Sequence, residues 1–67
     1  MDKDMLKGQI RGLGMTQGDV AKKMGISLSR FNAKVNGTNG AEFSLGEVQE
    51  LKRILRLTAE QVDRLFF

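Results

Sequence analysis

At 67 residues the chain has room for one domain, since a chain this short buries only about 60% of the surface it exposes when unfolded. It contains no cysteine and no histidine, which excludes disulfides, thiolate and imidazole metal ligands, and the catalysis that rests on either side chain. The net charge is a modest +3 but unevenly spread: between Thr16 and Asn36 the bases Lys22, Lys23, Arg30 and Lys34 face a single acid, Asp19, so one central stretch carries an excess equal to that of the whole chain.

Apolar runs fall well short of the ~18 residues a membrane span needs. The opening Met1-Asp2-Lys3-Asp4 lacks the basic and apolar regions of a secretory signal, which predicts a cytoplasmic protein. Proline is absent, β-branched residues are scattered and apolar residues recur at helical spacing, so the expected fold is all-α.

Leu6, Ile10 and Leu13 set a first helix over residues 4–13, closed by Gly14. A repeated device then marks the starts: a Ser or Thr cap with one apolar residue before it and another four after it, the hydrophobic staple. Met15-Thr16…Val20 opens a helix over residues 17–24, stopped by Gly25, and Ile26-Ser27…Phe31 opens one over residues 28–36, stopped by Gly37. The stretch from Thr38 to Glu42, with Asn39-Gly40, is expected to be the one real loop. Phe43-Ser44…Val48 begins a helix over residues 45–55 on the stripe Leu45, Val48, Leu51, Ile54 and Leu55, and Leu57-Thr58…Val62 begins a last one over residues 59–66. Asp19, Glu47 and Gln61 stand at the third helical position and complete capping boxes, Asp being the weaker choice. Gly8 and Gly46 weaken their helices, and Met5, Met15 and Met24 read as core filler.

The second and third helices are joined only by Gly25-Ile26-Ser27, too tight for an antiparallel hairpin and suited to a steep crossing, a helix-turn-helix. The run Met15-Thr16-Gln17-Gly18-Asp19-Val20-Ala21-Lys22-Lys23-Met24-Gly25-Ile26-Ser27, with Asn36-Gly37 further on, resembles the Cro/repressor (XRE-type) helix-turn-helix family. The resemblance covers essentially the whole chain and implies a compact five-helix repressor-like domain whose motif occupies residues 16–37. It departs from the family at Val20, where leucine is usual, and at Val35, which carries the late buried side chain of the third helix.

At 100° per residue, Phe31 and Val35 share the one large apolar face of the third helix and turn inward. Ser29, Arg30 and Ala33 then centre the opposite face, Asn36 borders it, Asn32 and Lys34 flank it, and Leu28 at the first position can still reach outward. With the motif's docking geometry, Ser29 and Asn32 are candidates for base-edge hydrogen bonds, Ala33 and Leu28 for apolar contact, and Arg30 for guanine or phosphate, with Lys34 on phosphate. A solvated polar face is the plain alternative. Gln17 begins a helix whose free amides favour an anion, and the resemblance implies that it anchors a phosphate, as it does for Asn36. Thr38 and Asn39 are further phosphate candidates or a simple polar turn. Lys22 and Lys23 read as a solvated face.

These features predict sequence-specific binding of double-stranded DNA by a phage, prophage or mobile-element regulator, with no enzymatic activity, cofactor or small-molecule ligand. With an opening Met1 and no sensor region in the sequence, signal sensing is expected to come from elsewhere. The competing expectation is a helix-turn-helix protein-interaction module: an antitoxin, excision factor or adaptor. Leu65, Phe66 and Phe67 form an apolar surplus that predicts a weak homodimer on a palindromic operator, unless the two rings fold back as core.

Overall fold

The computed structural model describes all of residues 1–67 and contains five α-helices and no strand. They are α1 (Lys3–Gly12), α2 (Gln17–Met24), α3 (Leu28–Asn36), α4 (Leu45–Ile54) and α5 (Ala59–Phe66). A 3-10 turn, Thr38–Gly40, occupies part of the expected loop.

The caps act as the sequence indicates. Thr16, Ser27, Ser44 and Thr58 each accept, through the side-chain oxygen, the amide of the third helical residue at 3.1 to 3.2 Å. The return bonds of the three capping boxes are also made, to Asp19 Oδ2 at 2.8 Å, Glu47 Oε1 at 2.9 Å and Gln61 Oε1 at 2.8 Å. Asp19 therefore closes its box despite its shorter side chain. Helix α1 begins one residue earlier than expected, because Asp2 Oδ1 accepts the Met5 amide at 3.0 Å and caps it. Leu13 and Leu55 cap the ends of α1 and α4 rather than continuing them.

Three helices stop in the same way. After α1, α2 and α4 one residue enters the left-handed region, and the residue behind it reaches back with its amide: Met15 to Ile10 O at 3.1 Å, Ile26 to Ala21 O at 3.0 Å and Leu57 to Lys52 O at 2.9 Å. The left-handed residue is Gly14 or Gly25 in the first two and Arg56, at φ 54°, in the third.

Helix α2 is central, packing on α1, α3 and α4, while α5 closes against α1 and α4. The core is wholly apolar: Leu6, Ile10, Val20, Ala21, Phe31, Val35, Leu51, Leu55, Leu57 and Leu65 form one cluster with no buried polar side chain. Met5, Met15 and Met24 pack half-buried around it. Phe43 links its layers, standing edge-on to Phe31 at 5.6 Å and to Phe66 at 6.2 Å between ring centroids. Two polar bonds tie distant segments: Gln9 Nε2 donates to Leu55 O at 3.1 Å, and the Asp2 amide donates to Leu65 O at 3.0 Å.

Candidate nucleic-acid interface

The orientation of α3 follows from two side chains. Phe31 is 0% exposed and Val35 4%, so the helix is seated through one narrow stripe. Ser29, Arg30 and Asn36 are exposed as a result, Asn32, Ala33 and Lys34 lie half-buried along the flanks, and Leu28 stays 47% exposed at the first turn. The wheel built on Phe31 and Val35 holds for Ser29 and Arg30, whereas Ala33, expected at the centre of the exposed face, is half-buried. No hydrogen bond or ion pair within the chain engages the side chains of Ser29, Arg30, Asn32 or Asn36. Their polar atoms are free to meet an external partner.

At the start of α2, Gln17 is half-buried, and its own amide and that of Gly18 find no acceptor in the chain. Such amides suit an anion. The nearby Asp19 carboxylate is committed to Thr16, whose hydrogen bonds hold it below its ordinary range, with a smaller contribution from Lys23 and Lys22. Thr38 and Asn39 are exposed in the turn beyond α3, where Asn39 takes the left-handed conformation at φ 54° and the Thr38 carbonyl accepts from Ala41.

Lys34 is corrected by the structure. Its ammonium donates to Glu47 Oε1 at 2.7 Å and Oε2 at 2.5 Å, and the two side chains are only 16% and 17% exposed. It therefore joins α3 to the first turn of α4 instead of offering a cation to phosphate. The Lys34 hydrogen bond is also the main reason that the Glu47 carboxyl is held below its ordinary range, ahead of the Ser44 bonds and against the opposing effect of burial. Glu47 was legible only as a capping partner. A local capping pattern carries no information on which cation, thirteen residues back in the chain, shares the same carboxylate.

Leu65 is likewise corrected from a partner contact to a core residue, because it is 1% exposed. Phe66 is half-buried against Phe43. Phe67 alone stands out, 82% exposed, at the edge of a groove of about 620 Å³ that also takes in Met1, Val35, Phe43 and Phe66.

No protein-family model matches the chain, and no characterised protein or solved structure is similar enough to count as a match.

Proposed function

We propose that this chain is a helix-turn-helix protein that binds double-stranded DNA sequence-specifically, with α3 in the major groove, as a regulator of the phage, prophage or mobile-element kind. The observation that carries the reading is the uncommitted face of α3. Its polar side chains have no internal partner, they project from a helix pinned by Phe31 and Val35, and only three residues separate it from α2. A helix of this length fits the major groove, where Ser29 and Asn32 can meet base edges and Ala33 or Leu28 a thymine methyl. Arg30, Asn36, Thr38, Asn39 and the amide end of α2 at Gln17 supply the phosphate contacts that hold the register. Phe67 supplies the exposed apolar contact for a weak two-fold dimer on the operator.

The test is selection of duplexes from a random pool, followed by titration of the selected site across a range of salt. Binding should fall linearly on a log–log plot, by about 0.9 in slope for each phosphate neutralised. Arg30→Ala should reduce that slope by about one, whereas Lys34→Ala, whose cation is spent on Glu47, should leave it unchanged in protein that remains folded. Absence of duplex binding at low salt would overturn the reading in favour of a protein-interaction module.

A further inference from the structure

A second groove, of about 490 Å³, lies where the ends of α1, α2 and α4 meet. Its apolar floor is Leu13, Met15 and Ile54, and its rim is Lys23, Arg53 and Arg56. None of these three cations takes part in an ion pair, and the two pairs the molecule does form lie elsewhere. Asp19, the carboxylate whose charge interacts with Lys23, is already held by Thr16.

Basic residues suit helix C-terminal turns, where carbonyls are left free, and this accounts for Lys23 and Arg53 one at a time. It does not account for three cations converging on one apolar floor, nor for Arg56. That residue sits left-handed at φ 54° in a turn whose two counterparts use glycine. At this turn the chain therefore places a guanidinium beside the groove, where the glycines of the two counterpart turns place no side chain.

We propose that this groove docks an acidic amphipathic segment of a partner protein, with an apolar side chain on Leu13, Met15 and Ile54 and carboxylates on the three cations. Charge complementarity identifies the occupant as acidic, and the apolar floor identifies it as peptide. A nucleic-acid backbone presents phosphates but no apolar group to fill such a floor, and the groove shares no residue with the α3 face. It is open to solvent, unlike the enclosing pockets that bury most of a small ligand. Arginine suits carboxylates because its fork bonds both oxygens at once.

The experiment is a titration of the ¹⁵N-labelled full chain with a short peptide of alternating glutamate and leucine, followed by NMR. Amide shifts are expected at Leu13, Met15, Lys23, Ile54 and Arg56 and not at Ser29, Asn32 or Ala33. Arg53→Glu should weaken the peptide by about tenfold or more with helicity unchanged. Arg56→Gly should weaken it several-fold while leaving the fold at least as stable, a combination that a purely structural Arg56 would not give. Duplex binding by Arg53→Glu should match that of the parent chain, which separates failure of this proposal from failure of the α3 reading. Equal shifts from inorganic phosphate at the same concentration would reduce the groove to a plain anion site. Stronger perturbation by unrelated duplex DNA would assign it to nucleic-acid backbone, and no shift at millimolar peptide, or shifts confined to α3, would likewise overturn the proposal.

Discussion

Arg56 holds a backbone conformation that costs an L-residue about 1–2 kcal/mol, and its neighbours explain how it is held. Leu55 and Leu57 on either side are 0% and 6% exposed, and the Leu57 amide is bonded back to Lys52 O, so packing on both flanks fixes the turn. Arg56→Gly should relieve the left-handed strain, offset in part by glycine's greater freedom when unfolded, and raise stability by up to about 1 kcal/mol in urea denaturation. The Lys34–Glu47 pair makes the opposite prediction. Glu47→Gln keeps the capping box, as Gln61 does in α5, but removes the charge that Lys34 meets. A loss of about 1 kcal/mol is expected at neutral pH for this mostly covered, charge-assisted pair. Because the folded-state carboxyl titrates below its ordinary value of 4.5, its contribution is complete above that value and is lost as pH falls through the depressed one. The parent and variant stability curves should therefore converge in acid. A constant gap at every pH would deny the ion pair its role.

At the scale of the helices, the proposed reading face of α3 depends on a seat of two side chains, so if it binds DNA as proposed, substitutions on the other side should alter preference without altering the fold. Ala33→Gln places a bidentate donor–acceptor on that face, and binding selections should return a changed base at one position of the site, discriminated by about 1–3 kcal/mol. Unchanged selection with helicity intact would remove Ala33 from the groove. The boundaries of α2, α3 and α5 were legible because staple, cap and glycine stop are all local, each spelled within a few consecutive residues. The rotation of α3 was legible for a similar reason: Phe31 and Val35 leave one face for the core. The cap at Asp2 was missed although Met1 and Leu6 flank it at staple spacing; a capping box was absent, since Met5 stands at the third position. Lys34–Glu47 and the stop at Arg56 lay beyond local pattern. The first is a contact between separate helices, and the second sets tertiary packing against conformational preference, with packing prevailing. The basic groove is also tertiary, because its cations come from different helix ends, and Lys23 alone reads as solvated.

For the molecule as a whole, the C-terminal residues divide their labour. Leu65 closes the core and Phe66 half-closes it, leaving Phe67 as the exposed ring. In the proposed dimer, Phe67→Ser should lower cooperativity on a two-site palindrome more than affinity for one half-site, with unfolding unchanged, as band shifts and ultracentrifugation can measure. So small a contact falls far below the ~1,200 Å² of a stable interface, so the free protein should sediment as a monomer. Leu65→Ser should instead strongly destabilise the chain, because it removes a fully buried side chain and leaves a cavity in a core that holds no buried polar side chain. The bond from the Asp2 amide to Leu65 O has a different consequence, for connectivity. It brings residues 2 and 65 side by side, so the backbone is nearly a closed ring that can be opened at another exposed turn. A circular permutant with the native ends joined by a short flexible linker, and new ends cut at Asn39 and Gly40 in the exposed turn, should therefore keep the same helices and the same α3 surface.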